Sequence, residues 1–300
     1  MEKELQHSEW KGTTYGNSWM HRHLVGMLRV IPPRLIYAFA KVFVIPPTVA
    51  INTNGRRYAY SFARKRLGLG RFDAIKYVFR NFNAFAEVII DRFAMYAGRK
   101  FDVELDGYDY YLSLDSSPSG FVQLSSHIGN YELAGYTLKA KNKRFNALVF
   151  GGEKATVMAN RQSMFAPNSI RMIPMSADMS HLFIINEALD NGEVVSMPAD
   201  RVFGSAKSYS LPLLGANANL PQGPFVMAAT KHVPMLFVAV MKEGKNRYRI
   251  IIRPIAGASE EMQPRKEAER MAREFANLLD DTVRHYPEQW YNYFNLWTDD

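Results

Sequence analysis

The chain has 300 residues, of which 47% are hydrophobic and 22% are charged. That length and apolar content support one large core, and the lack of low-complexity tracts or internal repeats excludes a disordered chain or a repeat array. The chain has no cysteine, which excludes disulfides, thiolate metal sites and cysteine nucleophiles and favours a reducing compartment on the cytoplasmic side of a membrane. The net charge of +8 suits anionic lipid headgroups, an acidic carrier protein or nucleic acid.

The first part of the chain predicts short helices that mix apolar and basic residues. Residues 1–10 lack the positive and apolar regions of a secretory signal, so we expect them to be retained. Residues 19–30 and 34–45 predict two helices separated by Pro32 and Pro33. Their mixture of aromatic, aliphatic and basic side chains favours a monotopic membrane anchor, and the alternative is two helices buried against the domain.

Residues 35–51 form a strongly apolar stretch. Lys41 lies in its middle, and Pro46 and Pro47 interrupt it, which leaves it short of the roughly 20 residues that a spanning helix needs. We therefore expect this stretch to touch the membrane interface and not to span it.

A change of pattern at Gly98 divides the chain. Before it, apolar residues recur at helical spacing and predict two further helices. After it, short apolar runs (FVQL at 121, ALVF at 147, VVSM at 194, MLFVAV at 235) alternate with helical stretches, as in an α/β fold with a mostly parallel central sheet flanked by helices. We therefore expect a helical, membrane-associating region over residues 1–97 and an α/β domain over residues 98–300.

The C-terminal third of the chain has three further patterns. Residues 245–254 alternate like an edge strand, and residues 259–287 predict a long amphipathic helix ended by Pro287. The aromatic run at 289–297 suits a core, a lipid groove or a membrane interface.

The candidate site lies in the segment SSHIGNYELAG, residues 125–135. A strand over Phe121–Ser125 leads into a turn, and Asn130 is placed to cap a helix that begins at Tyr131. His127 then lies at the carboxyl end of a parallel strand, where open α/β sheets bind their ligands.

His127 and Glu132 form a candidate general base. Residues five apart on one helix are about 140° apart round its axis, so the histidine must lie in the turn and the glutamate in the first helical turn. The carboxylate can then fold back to accept the far N–H of the imidazole and leave the other nitrogen free to take a proton. The alternative is a turn histidine beside an unrelated helix acid.

The chain resembles the bacterial lipid A late acyltransferases, which belong to the lysophospholipid acyltransferase-like superfamily. SSHIGNYELAG resembles their motif of a histidine, four residues and an acid. Three more segments resemble the family in the same order: YVFRNFNAFAEVIID, EALDNGEVVSMPADRVFGSAKSYSLPLLG and HYPEQWYNYFNLW. The likeness covers roughly residues 50–297 and implies a glycerol-3-phosphate/lysophospholipid acyltransferase-like fold.

The resemblance also implies roles for single residues. His127 would deprotonate an acceptor hydroxyl, with Glu132 as its partner. The residues that it implies for substrate binding are Asn130, Arg161, Asp200 and Arg201. Arg161 comes later in the chain than the family's usual arginine, and a surface ion pair in a loop is the alternative for Asp200 and Arg201.

The implied reaction moves a fatty acyl chain from an acyl thioester, on acyl carrier protein or coenzyme A, to a hydroxyl of a lipid A precursor or a related lipid. No metal or other cofactor is needed. The implied place is the cytoplasmic face of the inner membrane, with peripheral or monotopic attachment. Other acceptors, namely a lysophospholipid, an aminolipid or a polyene lipid, remain open, as does a non-catalytic module that binds lipid or carrier protein on the same fold.

Other functional classes lack their motifs. A metal hydrolase would show His-Glu-x-x-His or further ligands near His127, and a serine hydrolase would show Gly-x-Ser-x-Gly; neither pattern occurs. No nucleic-acid-binding motif accompanies the basic residues, so we expect no nucleic-acid partner.

Overall fold

The structure is a computed structural model that describes residues 18–138, 140–150, 158–159, 162, 170–176, 178–202, 207–255 and 263–298. Its first part is helical. The elements there are α1 (Ser18–Val30), α2 (Pro33–Phe39), a π-helical segment (Ala40–Val44), α3 (Ile45–Ile51), α4 (Thr53–Lys65) and α5 (Arg71–Tyr96).

The rest of the chain alternates strands and helices, as its apolar runs predict. The elements are β1 (Asp102–Asp106), α6 (Tyr108–Ser116), β2 (Phe121–Ser125), α7 (Tyr131–Thr137), β3 (Phe145–Phe150), β4 (Ile170–Met175), α8 (His181–Asp190), β5 (Val194–Pro198), β6 (Ser208–Leu213), β7 (Ala216–Pro221), α9 (Gly223–Lys231), β8 (Met235–Lys242), β9 (Arg247–Ile255) and α10 (Pro264–His285). A short 3₁₀ turn follows at Pro287–Gln289.

Seven of these strands form one sheet in the order β1-β9-β8-β2-β5-β3-β4, and β6 and β7 form a separate hairpin. All neighbours in the large sheet are parallel except β8 and β9. The predicted fold class, a mostly parallel central sheet flanked by helices, is confirmed. The strands β2, β3, β5 and β8 correspond to the four apolar runs of the sequence.

The prediction of an edge strand at 245–254 is wrong. β9 lies between β1 and β8, and β1 is the edge. Buried and exposed side chains alternate along β9 because its two faces differ. One face, with Tyr248 and Ile250, is buried in the core. On the other face, Arg249 and Arg253 form ion pairs with Asp106 of β1.

The interruption predicted at Pro46 and Pro47 is also wrong. Both prolines lie in the first turn of α3, directly after the π-helical segment, and residues 33–51 form one helical run. The wider turn before the prolines accommodates their missing N–H groups and their ring bulk. With 19 residues and a mean hydropathy of 1.5, this run is long and apolar enough to cross a membrane by length and composition alone.

The N-terminal helices and the sheet share their hydrophobic core. Val49 of α3, Phe62 of α4 and Phe82 of α5 belong to the same buried cluster as Leu124 of β2 and Phe237 of β8. The proposed division between residues 97 and 98 therefore stays a prediction, although it falls between the last residue of α5 and the first residue of β1.

Candidate active site

The turn after β2 carries His127 and is fixed by backbone contacts. Gly129 has a φ of +56°, and a Cβ atom there would collide with the carbonyl oxygen of Val240, so the turn requires glycine. The next residue, Asn130, donates its backbone N–H to the same carbonyl at 2.8 Å. Helix α7 then begins at Tyr131, as predicted.

Asp200 reaches His127 from the neighbouring parallel strand. β2 and β5 are adjacent, and Ser125 stands in register with Pro198 at their carboxyl ends. Asp200 follows two residues later, and its Oδ1 lies 2.8 Å from His127 Nδ1. Its Oδ2 accepts the backbone N–H of His127, also at 2.8 Å. One carboxylate therefore holds both the main chain and the ring of His127.

The expected pairing of His127 with Glu132 is not found at this nitrogen, because Asp200 occupies it. Glu132 is buried, and its Oε2 accepts the hydroxyl of Tyr96 at 2.9 Å and lies 3.2 Å from Nε of Arg92. Both partners lie on α5, so Glu132 joins α7 to the N-terminal helices. Glu132 pairs with Arg92 and not with His127 because the Arg92 guanidinium is brought to it by α5. Arg92 is distant in the sequence, so local spacing does not reveal this pair.

The environment keeps His127 neutral. Burial lowers the pKa of the imidazole, the Arg201 guanidinium lowers it further, and the carboxylate of Asp200 only partly opposes them. Burial alone would raise the pKa of Asp200, but His127 and Arg201 outweigh it, so this pKa lies below its usual range. An ionised Asp200 accepts a proton from Nδ1, which leaves the lone pair of Nε2 to act as a base.

Arg201 adds a positive charge beside the imidazole. Its guanidinium donates to the carbonyl oxygen of Tyr291 at 3.1 Å and lies 4.9 Å from the ring centre of Phe294. Asp200 is only 1% exposed. The alternative of a surface ion pair is therefore wrong, and the loop after β5 contributes to the site.

Residues 287–298 contribute to the site, which the sequence did not indicate. We call residues 287–298 the closing segment. Its Tyr291 donates its backbone N–H to the carbonyl of His127 at 3.0 Å. Its two tryptophans, Trp290 and Trp297, pack against Phe62 and against each other, so the core alternative holds for these aromatics.

Two of the predicted substrate-binding residues stay predictions. Asn130 stands at the N-terminus of α7, but its fully buried side chain makes no capping hydrogen bond. Arg161 lies outside the described residues. Within the described part of the chain, no group of three or more histidine and acidic side chains is arranged to hold a metal ion.

None of the curated proteins matches this chain. Among solved structures, the 1-acyl-sn-glycerophosphate (LPA) acyltransferase PlsC from Thermotoga maritima is similar, with 15% identity and a TM-score of 0.35 over 87% of this chain and 98% of that chain. The family model described as bacterial lipid A biosynthesis acyltransferase matches residues 79–298. That match spans well over half of the chain, which therefore belongs to the bacterial lipid A biosynthesis acyltransferase family and is an acyl-transferring enzyme.

Proposed function

We propose that this enzyme transfers a fatty acyl group from a thioester, on acyl carrier protein or coenzyme A, to a hydroxyl of a lipid A precursor or a related lipid, with His127 as the general base. The observation that carries this proposal is the geometry at His127. Its Nδ1 is held by a buried carboxylate at 2.8 Å, and the ring stays neutral because burial and Arg201 lower its pKa. A neutral, oriented imidazole is what activation of an alcohol requires.

The reaction follows from these groups. Nε2 of His127 takes the proton of the acceptor hydroxyl while its oxygen attacks the thioester carbonyl. The tetrahedral intermediate carries a negative oxygen, which the guanidinium of Arg201 stabilises. The carbon–sulfur bond then breaks, and the imidazolium returns its proton to the leaving thiolate.

Glu132 is linked to His127 indirectly, through Arg92 and Tyr131. Its partner Arg92 lies 5.6 Å from the ring centre of Tyr131, and the Tyr131 ring lies 5.7 Å from the His127 ring, edge to face. We therefore assign the orientation of the imidazole to Asp200, and to Glu132 the placement of Arg92 and Tyr131 beside it.

The charge of the chain favours an acidic donor. Acyl carrier protein is acidic, so a net charge of +8 on the enzyme attracts it to the enzyme surface. Salt weakens this attraction. Coenzyme A thioesters remain the alternative donor, and direct comparison of the two donors decides between them.

We place the enzyme on the cytoplasmic face of the inner membrane. The helical run of residues 33–51 exposes large apolar side chains, among them Leu35, Phe39, Val42 and Phe43. The same run is docked on the protein along its length, because Tyr37 packs with Phe93 of α5 and Val49 lies in the main core. A helix so docked favours burial in one leaflet over a free span.

The test measures transfer of radiolabelled acyl groups from acyl carrier protein and from coenzyme A to a membrane lipid extract. The wild type is compared with His127→Ala and with His285→Ala, a control at an exposed histidine at the end of α10. We expect label in a lipid with the wild type and the control only, and the labelled product then identifies the acceptor.

The other outcomes are equally informative. Equal transfer by His127→Ala would show that His127 is not the base. A labelled lysophospholipid, aminolipid or polyene lipid would replace the lipid A precursor as acceptor. Lipid binding without transfer from either donor would indicate a non-catalytic module.

A further inference from the structure

The closing segment lies between α5 and the turn that carries His127. On the α5 side it is held by Asn81, whose side chain is 1% exposed. The Asn81 amide nitrogen donates to the carbonyls of Glu288 at 3.0 Å and Trp290 at 3.1 Å. The Asn81 amide oxygen accepts the hydroxyl of Tyr293 at 2.7 Å. One side chain therefore binds three residues of the segment.

On its other side the same stretch of backbone holds the catalytic turn. The carbonyl of Gln289 accepts the N–H of Gly129 at 2.8 Å, and the N–H of Tyr291 donates to the carbonyl of His127 at 3.0 Å. The carbonyl of Tyr291 accepts the Arg201 guanidinium. After the 3₁₀ turn the chain is extended at Trp290, so the Trp290 carbonyl faces Asn81 and the Tyr291 carbonyl faces Arg201 on the opposite side. The contacts with Asn81 therefore fix the orientation of the groups that face His127.

The contribution of Asn81 lies in these contacts and not in its helix. Alanine would suit the interior of α5 better than asparagine by intrinsic propensity. Both amide N–H groups and the amide oxygen are used in long-range hydrogen bonds, so the side chain works as a clamp between α5 and the closing segment.

We propose that Asn81 is a positioning residue for acyl transfer, which acts through the closing segment to hold His127 and Arg201 in their catalytic placement. The inference rests on the proposed function of His127. It assigns a role to a helix residue that does not itself contact the imidazole or the reacting atoms.

The test compares Asn81→Ala with the wild type in steady-state acyl transfer. A misplacement of about 1 Å can cost about 100-fold in rate, so we expect kcat to fall about 10- to 100-fold while KM for the acyl donor stays within about twofold. We also expect the acidic limb of the kcat/KM profile to move to higher pH. The reason is that a loosened turn admits water and separates His127 from Arg201, which relieves the lowering of its pKa.

Asn83→Ala is the matched control, since Asn83 lies on the same helix and donates to Glu87 one turn further along. We expect its kcat, KM and pH profile to equal those of the wild type. A purely structural role for Asn81 would lower the melting temperature and leave the three kinetic readouts of the folded protein unchanged, which would overturn the proposal.

A second variant covers the case in which Asn81→Ala does not fold. The side chain of Gln289 makes two hydrogen bonds at 2.8 Å with the main chain of Lys242, at the end of β8. Gln289→Ala should loosen the same segment and give the same kinetic changes, and unchanged kinetics would refute the inference. The same assay on the wild type and His127→Ala tests the proposed function separately. If the wild type transfers acyl groups and His127→Ala does not, unchanged kinetics in the Asn81 and Gln289 variants refute only the role of Asn81.

Discussion

Replacement of Asp200 by asparagine tests whether this carboxylate sets the tautomer of His127. In the structure Asp200 accepts two hydrogen bonds of 2.8 Å, one from the backbone N–H of His127 and one from its Nδ1. Asparagine offers one oxygen in their place. If that oxygen keeps the backbone N–H, the amide NH₂ faces Nδ1 and donates to it, so the ring proton moves to Nε2 and the base is lost.

The size of the effect follows from these contacts. In the tautomer that catalysis needs, Nδ1 carries the proton and Nε2 is free. In Asp200→Asn this N–H would face an N–H of the asparagine amide, so both of these donors would lack an acceptor. Each unsatisfied buried group costs about 1–3 kcal/mol, or about 2–6 kcal/mol together. At 1.36 kcal/mol per tenfold change, we expect kcat for Asp200→Asn to fall about 30- to 3 × 10⁴-fold.

The assay is acyl transfer under saturating donor, with circular dichroism to show that the variant is folded. Asp190→Asn serves as the control, because Asp190 is an exposed acid just before β5 whose partner is Lys231. A folded Asp200→Asn enzyme with kcat within about threefold of the wild type would show that Asp200 does not orient the base.

Three further predictions follow from the same site and from the N-terminal helices. Glu132→Gln should lower the free energy of unfolding by about 3–5 kcal/mol, since it removes one partner of the buried ion pair with Arg92. Chemical denaturation measures this change, and an unchanged denaturation midpoint would contradict the prediction. Arg201→Met should raise the pKa of His127 and move the acidic limb of kcat/KM to higher pH, because Arg201 lowers that pKa in the wild type; a limb at unchanged or lower pH would refute this reasoning. Since the chain has no cysteine, Val30→Cys and Ile51→Cys each give one exposed thiol, the first at the end of α1 just before the apolar helical run and the second at the last residue of the run. Both thiols should be labelled only from the cytoplasmic side, whereas labelling from opposite sides would show a span.

The strand, turn and helix around His127 could be predicted because their signals are local. The apolar run at Phe121–Ser125, the glycine in the turn and the asparagine before Tyr131 all lie within eleven residues. These signals are carried by the residues themselves, as an apolar run of strand length and a glycine that permits a positive φ. The side-chain cap predicted at Asn130 is not formed, although the helix begins at the next residue. The structure accordingly has the strand and the start of α7 where the sequence predicts them.

The partner of His127 could not be found in this way. Asp200 is a neighbour only because β2 and β5 are adjacent in the sheet, and strand order depends on packing between segments that are far apart in the chain. Glu132 was the nearer acid in sequence, but Arg92 on α5 provides it with a buried counter-charge. The position of β9 in the sheet could not be predicted for the same reason. Its alternating pattern reflects the ion pairs on one face and not a place at the edge of the sheet.

The closing segment has a consequence for the order in which the molecule forms. Asn81 and its partners Glu288 and Trp290 are 207 and 209 residues apart in the chain. During synthesis α5 and every strand of the sheet are made before residues 287–298, and domains begin to fold as they emerge. The sheet and its core can therefore assemble around a histidine turn that still lacks its last backbone partners. Acyl transfer should therefore depend on the docking of residues 287–298 and not on assembly of the sheet alone.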